Sequence, residues 1–371
     1  MLVASCLCGA TSIQKFFAQL SFKKARISLT KGYKMELYTL IACVIALGLG
    51  FGLTFPAIRL APVLGFMDIP KDERRMHKDA TPRIGGAAVF LAFSIAISVT
   101  GYFFEALPYI VGGLIIVTVG MLDDKFGLKP MIKILGQALA GVALCAFGVT
   151  AQFITLFGVT FDLWIFAYPV TVFMVIAVTN IINLIDGVDG LCTGIAIFGC
   201  GGIALVSFLF YDGNVVAIAL TLLCAALGFL PHNANPAKTF LGDAGSMFFG
   251  FMLTAMLCES VFSSPTVEGY TLSAFTALAI LGLPVFDTSF AIIRRLMSKQ
   301  SIFCGDKKHV HHRLCERYGQ KLAVAIMYVY AIVLVGIAVT LNISVAGEIV
   351  GVILLALAFG YATVRFGIYK N

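Results

Sequence analysis

Charge is scarce in this chain. Only 12% of its 371 residues are Asp, Glu, Lys or Arg, about half the share of a soluble domain. That shortage excludes an ordinary water-soluble globule. Paired cysteines are also missing. The ten cysteines include no CxxC pair, and most fall in apolar runs, where the expected role is a small buried side chain. The chain shows no long soluble insertion and no strong internal repeat. Lys and Arg are absent from one set of connecting loops, 104–106, 149–163, 211–214, 263–270 and 342–348, which instead carry Glu105, Asp162, Asp212, Glu268 and Glu348.

Apolar residues fill the space that charge leaves. They make up 60% of the chain, and the mean hydropathy is +0.98. A membrane-crossing helix needs about 20 mostly apolar residues, and runs of that kind recur from residue 37 onward. Backbone groups in lipid must bond within the segment, so the runs predict helices; a β-barrel would show short alternating strands. The expected fold is an all-α polytopic membrane protein of about eleven spans, near 37–57, 85–103, 107–122, 131–148, 164–183, 189–210, 215–231, 246–262, 271–293, 322–341 and 349–364. The third and fourth are short for spans and are required by the charged turns between them.

Orientation follows from the basic residues, which favour the cytoplasmic side. Beyond residue 34 all 20 Lys and Arg lie on or near the face opposite the acid-only loops. That face is expected to be cytoplasmic in a multi-pass protein of the inner (plasma) membrane. Residues 1–34 disagree: they hold Lys15, Lys23, Lys24, Arg26, Lys31 and Lys34 with no acid, and eleven spans would put them outside. They are expected to be an unstructured basic leader or the product of an upstream start codon, followed by a single membrane domain over 35–371.

Five polar motifs return to the expected cytoplasmic face, separated by pairs of apolar stretches: Asp68–His77, Leu122–Gly127, Asn180–Gly190, Asn233–Ser246 and Asp306–Arg313. They contain nine carboxylates, Asp68, Asp72, Glu73, Asp123, Asp124, Asp186, Asp189, Asp243 and Asp306. With the basic residues beside them, these suggest one polar site for a divalent cation and a phosphate-bearing substrate. Asp123 and Asp124 end a span, and adjacent carboxylates raise one another's pKa unless a cation sits between them, which suits a general base or a metal-linked acid. A solvated helix end is the plainer alternative.

Asn180, Asn183 and Asp186 recur at a spacing of three and line one helix face; Gly187 and Gly190 then let the chain turn around Asp189. Amide and carboxylate oxygens suit a hard cation such as Mg²⁺, and such groups are costly at membrane depth. Asp243, in Gly242–Ser246, fits either a helix N-cap or a carboxylate beside phosphate-binding amides. His309, His311 and His312 share a loop with Lys307, Lys308 and Arg313. Zinc would need a defined set of three or four ligands, whereas a basic, His-rich loop suits pyrophosphate, with Arg offering two parallel contacts. Asp287 is the one acid well inside a span, either paired with Arg294 or another polar neighbour or part of the site.

As a set, the motifs resemble the polyprenyl-phosphate N-acetylhexosamine-1-phosphate transferase family over about residues 40–320: the Asp pair after the third span, NxxNxxDGxDGL after the fifth, NPAKxFxGDxGS before the eighth and HxHH after the ninth. The resemblance implies transfer of a sugar 1-phosphate from a UDP-sugar to a polyprenyl phosphate lipid, with release of UMP and a requirement for Mg²⁺, or Mn²⁺ in its place. It assigns Asp123 and Asp124 to catalysis at the lipid phosphate and Asn183 and Asp243 to the metal. Substrate binding falls to Asn180, Asp186, Asp189, Lys133, Asn235, His309, His311, His312 and Arg313.

The His-Val-His-His sequence and Pro82–Gly86 are similar to the branch that transfers GlcNAc 1-phosphate to begin a cell-envelope glycopolymer such as O-antigen or teichoic acid. The peptidoglycan branch, which uses a MurNAc-pentapeptide donor, is the alternative. A secondary transporter is the rival from another class, disfavoured because the acids gather at span ends rather than at mid-membrane. No nucleic acid is expected as a partner, and a homodimer is left open.

Overall fold

The computed structural model describes residues 29–68, 80–210, 214–263, 272–297 and 309–366. The chain divides into two units, Met1–Ile41 and Ala42–Asn371. The described part of the first is the opening of helix α1 (Leu29–Leu64), and the second holds all that follows. The leader up to residue 28 and the motif residues Asp72, Glu73, Arg74, His77, Asp306, Lys307 and Lys308 lie outside the described residues.

After α1, strands β1 (Met67–Asp68) and β2 (Thr81–Pro82) pair antiparallel. Helices α2 (Gly85–Val99), α3 (Phe103–Phe126) and α4 (Pro130–Ala146) lead to a hairpin of β3 (Phe153–Leu156) and β4 (Val159–Asp162). Then come α5 (Ala167–Leu184), α6 (Leu191–Phe210), α7 (Val215–Asn233), α8 (Gly242–Ser260), α9 (Ala274–Ile280), α10 (Gly282–Met297), α11 (Val310–Tyr318), α12 (Gln320–Thr340) and α13 (Val345–Phe366).

Among the described residues, seven helical segments are long and apolar enough to cross a membrane: Glu36–Leu64, Phe103–Phe126, Trp164–Leu184, Leu191–Phe210, Val215–Asn233, Gln320–Thr340 and Val345–Ala362. An eighth forms if α9 and α10 count as one span broken by a bend of 83°. Helices α2 and α4 are apolar but shorter. The expected spans lie in helical segments, the ninth across both α9 and α10, but only seven or eight of those segments have the length of a crossing; the chain is an all-α, multi-pass membrane protein. One expectation needs correction. The third span is not short, because Glu105 belongs to the first turn of α3, where an acid is favoured by the helix dipole, and the helix runs 24 residues.

Large apolar side chains such as Leu60, Leu135, Phe173, Phe208, Val329 and Leu357 stand exposed on the flanks. A patchwork of that extent on a soluble protein would aggregate; against lipid it is the expected surface. The centre is α8. Every residue in it except Glu259 is buried, and α2, α3, α5, α6 and α7 pack around it. Glycine permits the closest approaches. A Cβ at Gly86 would lie 2.1 Å from the backbone nitrogen of Gly245, and one at Gly120 would lie 2.4 Å from Cα of Ala244. Helices α2 and α3 therefore meet the start of α8 backbone to backbone, which brings the end of α3 beneath the first turn of α8.

At the other end of α3 the structure is closed by polar contacts. The 149–163 segment, expected as a loop, turns back at Phe157–Gly158, where both residues have positive φ (51° and 76°), as a two-residue hairpin with right-handed strand twist requires. The buried Glu348 carboxylate accepts hydrogen bonds from the Phe157 N–H at 2.8 Å and the Ser273 hydroxyl at 2.7 Å. Helix α13 is thereby tied to the hairpin and to the start of α9.

Candidate active site

The ends of α3 and α5 and the starts of α4 and α8 meet in one polar cluster. The Asp pair at the end of α3 divides its work. Asp123 accepts the Leu128 N–H at 2.8 Å through Oδ1 and binds Lys133 Nζ, from the first turn of α4, at 3.0 Å through Oδ2. Asp124 is almost fully enclosed, its side chain 1% exposed. Its two oxygens accept the N–H groups of Asp243 at 3.0 Å and Ala244 at 3.1 Å. Those are the unpaired amides that open a helix, so Asp124 caps α8 from a different helix.

Two cations hold the cluster together. Arg83 reaches Asp124 Oδ1 with Nε at 2.9 Å and Asp243 Oδ1 with Nη2 at 2.7 Å. Lys133 bridges Asp123 to Asp243 Oδ2. Arg83 is itself fixed by the backbone. Its N–H donates to the Phe66 carbonyl at 2.9 Å, and its neighbours Pro82, Gly85 and Gly86 pair with Phe240 and Leu241 just before α8.

Along α5, Asn183 donates to Ser246 Oγ at 2.8 Å. Ser246 lies one turn beyond Asp243 on α8, so the Asn183 amide sits against the face that carries Asp243. Asn180 is occupied differently: its Nδ2 donates to Gln137 Oε1 and to the Ile176 carbonyl, both at 2.7 Å. That pairing joins α5 to α4. Asp186, just past α5, has its carboxyl pushed up to about 7, chiefly by burial; Arg83 opposes the rise, and Asp243, Asp124 and Asp189 add to it. Asp189 is buried and accepts Asn235 Nδ2 at 3.0 Å and the Ala237 N–H at 3.2 Å. Asn235 also donates to Gln320 Oε1 at 2.7 Å. These two side chains brace the loop between α7 and α8.

The histidines complete one edge. His309 and His311 turn their Nδ1 atoms to Asp287, at 3.0 and 2.8 Å, so the acid within a span pairs with the histidines rather than with Arg294. A Cβ at Gly187 would stand 3.3 Å from His311 Nε2 and 3.5 Å from His312 Nε2, so both rings face the turn after Asp186. Arg313 lies on α11, its N–H bonded to the His309 carbonyl at 3.2 Å.

Five of the expected residues (Asp123, Asp124, Lys133, Asn183 and Asp243) thus share one cluster, with Asp186 beside it and His311 and His312 at its rim. Arg83, Gln137 and Ser246 had no expected role. The signals were present: a basic residue before a Gly pair, and a lone amide in an apolar helix.

Helices whose polar ends converge at one end of an apolar bundle define a membrane protein with a carboxylate-rich, cation-bridged site. A family model described as glycosyl transferase family 4 matches residues 106–261. A probable undecaprenyl-phosphate N-acetylglucosaminyl 1-phosphate transferase of Bacillus subtilis (strain 168) is 35% identical over 278 residues, covering 74% of this chain and 76% of that protein. The decaprenyl-phosphate N-acetylglucosaminephosphotransferase of Mycobacterium tuberculosis (strain ATCC 25618 / H37Rv) is 31% identical over 75% of this chain and 76% of its own length. The undecaprenyl-phosphate alpha-N-acetylglucosaminyl 1-phosphate transferase of Escherichia coli (strain K12) is 30% identical over 70% and 71%. The chain belongs to this glycosyl transferase family of polyprenyl-phosphate N-acetylhexosamine-1-phosphate transferases.

Proposed function

We propose that the protein transfers N-acetylglucosamine 1-phosphate from UDP-GlcNAc to undecaprenyl phosphate, releasing UMP, at the cytoplasmic face of the plasma membrane. The product would be the lipid-linked primer of a cell-envelope glycopolymer. The observation that carries this reading is the convergence of Asp123, Lys133, Asp243 and Arg83 in one cluster at the ends of apolar helices, in a chain whose relatives are named for this transfer.

An oxygen of the lipid phosphate attacks the β-phosphorus of the donor. The new O–P bond forms as the bond from that phosphorus to the oxygen bridging the two phosphates breaks, and UMP leaves with the electron pair. Catalysis of this kind is mostly positioning and charge stabilisation. Of the Asp pair, Asp123 is the one we assign to the acceptor phosphate, because Asp124 is enclosed and committed to the start of α8. Lys133, beside Asp123, is placed to attract a lipid phosphate arriving from the membrane.

The cluster suits a divalent cation. Four carboxylates, Asp123, Asp124, Asp186 and Asp243, face two basic side chains, Arg83 and Lys133, so hard oxygen donors exceed the positive charge. Asn183 spends its nitrogen on Ser246 and keeps its oxygen for a ligand. Asp243 and Asn183 would hold Mg²⁺, with Mn²⁺ as a substitute, and the ion would neutralise pyrophosphate charge as the bond breaks. Asp186, His311, His312 and Arg313 would receive the donor's sugar and phosphates.

UMP release measured with purified protein, undecaprenyl phosphate and a panel of UDP-sugars tests the assignment. Turnover is expected with UDP-GlcNAc and little with UDP-MurNAc-pentapeptide, since the short His-rich segment offers a compact grip and no extended surface for a peptide. Faster turnover of the pentapeptide donor would move the chain to the peptidoglycan branch.

A further inference from the structure

Asp287 lies just past the bend that separates α9 from α10, at a wall otherwise formed by Phe286, Phe290, Leu314 and Tyr330. A carboxylate in such a place needs several donors to offset its desolvation. It has three. Oδ2 meets His309 Nδ1 at 3.0 Å and His311 Nδ1 at 2.8 Å, and Oδ1 accepts the Val310 N–H at 2.6 Å. One side chain on α10 therefore caps the first turn of α11 and fixes two rings of the histidine segment.

The three side chains could also suggest a metal centre, since their ligand atoms lie within 4.8 Å of one another. The spacing argues otherwise. Ligands at about 2.0 Å from a tetrahedral zinc stand about 3.3 Å apart, whereas both ring nitrogens sit at hydrogen-bond distance from the same oxygen. Those are the separations of two N–H···O hydrogen bonds, which call for a proton on each Nδ1.

A proton on Nδ1 turns the other nitrogen into the working edge of the ring. For His311 that edge faces Gly187, where the absence of a side chain lets Nε2 approach the turn that follows Asp186. We infer that Asp287 is a positioning residue for donor binding: it holds His309 and His311 in the Nδ1–H form, orients the Nε2 edge of His311 toward the Asp186–Gly187 turn, and anchors the start of α11 against α10. When a phosphate oxygen of the donor approaches Nε2, the ring meets it with a carboxylate at its back, the arrangement that orients an imidazole and balances an imidazolium. The inference rests on the transfer reaction proposed above for the identity of the donor and on the geometry alone for the tautomers.

The test uses the full chain in lipid nanodiscs with isotope-labelled histidine. Ring-nitrogen NMR shifts, assigned by comparison with His309→Gln and His311→Gln, report which nitrogen carries the proton. Both His309 and His311 are expected to be protonated at Nδ1 in the unsubstituted protein. Asp287→Asn offers one acceptor oxygen and a competing NH₂, so it cannot serve all three donors. It should lose the Nδ1–H signature and raise KM for UDP-GlcNAc about 10- to 100-fold, with KM for the lipid acceptor unchanged; Asp287→Glu should recover part of both. Rings bare at Nδ1 in the unsubstituted protein would overturn the inference, and that result does not depend on whether any variant folds. A folded Asp287→Asn protein with an unaltered donor KM would overturn it too. Nδ1–H rings in a protein that releases no UMP from UDP-GlcNAc would instead refute the donor assignment and leave the role of Asp287 in ordering the histidines standing.

Discussion

Asp124 and Asp243 are joined through a helix end: the Asp124 carboxylate accepts the backbone N–H of Asp243 at 3.0 Å, while the Asp243 side chain points to Arg83 and Lys133. The first acid builds the platform on which the second is displayed. Adjacent in sequence, Asp123 and Asp124 therefore differ in kind. Asp124→Ala should destabilise the folded protein by about 3 kcal/mol, because it leaves enclosed partners unmatched. Asp123→Ala should leave thermal unfolding close to that of the parent and lower turnover about 10²- to 10⁴-fold, the usual range for a lost proton-transfer group. Unfolding curves set beside UMP-release rates separate the two. A stable Asp124→Ala protein with ordinary stability would contradict the capping role.

Arg83 connects the segment before α2 to both Asp124 and Asp243. Its planar fork makes the two contacts from different nitrogens, which a lysine ammonium on a flexible stem reproduces poorly. Arg83→Lys should therefore lose most of the turnover, about 100-fold if the displaced Asp243 costs about 2.7 kcal/mol at the transition state. The comparison to make is kcat against protein recovered in detergent. Normal kcat in Arg83→Lys would mean that the bridge serves folding only.

The sequence pattern made the helices legible because lipid forces every crossing segment into one apolar, internally bonded form. Chemistry was legible where polar residues interrupt that pattern, as at Asp123, Asn183, Asp243 and His311. The division of roles was not, because it depends on contacts between distant helices. Asp124 is a cap only because Gly120 lets α3 lie against Ala244. Asn180 looks like a site residue by its spacing, yet it pairs with Gln137, 43 positions away. Proximity in sequence offers Arg294, on the same helix, as a partner for Asp287, whereas the fold pairs it with His309 and His311 from a different segment. The 149–163 hairpin was hidden for a related reason: its turn residues Phe157 and Gly158 carry only one of the usual turn signals.

Topology offers an independent check on the placement of the site. Acid-only loops on one side and basic residues on the other predict that reporters at Gly213 and Gly269 face outward and that one at Asn371 faces the cytoplasm. Labelling of single cysteines at those positions by a membrane-impermeant thiol reagent in intact cells reads this directly. Cytoplasmic Gly213 would invert the pair of helices around it and remove the eleven-span arrangement.

The proposed dependence on Mg²⁺ is the sharpest consequence of the donor set. Arg83 and Lys133 already neutralise part of the charge on Asp243, so the cluster is held together without a metal ion, and removing Mg²⁺ should abolish turnover without unfolding the protein. Chelation by EDTA should lower UMP release to background and shift the unfolding temperature little; restoring Mg²⁺ should bring the rate back. Asp243→Ala removes a hard oxygen donor and leaves Lys133 and Arg83 to Asp123 and Asp124. Its turnover should be lost and only partly recovered by excess Mg²⁺, because Asn183 and water remain as weaker ligands. Full activity in EDTA would exclude a metal-dependent transfer at this site and leave the two basic side chains as the groups that stabilise the pyrophosphate.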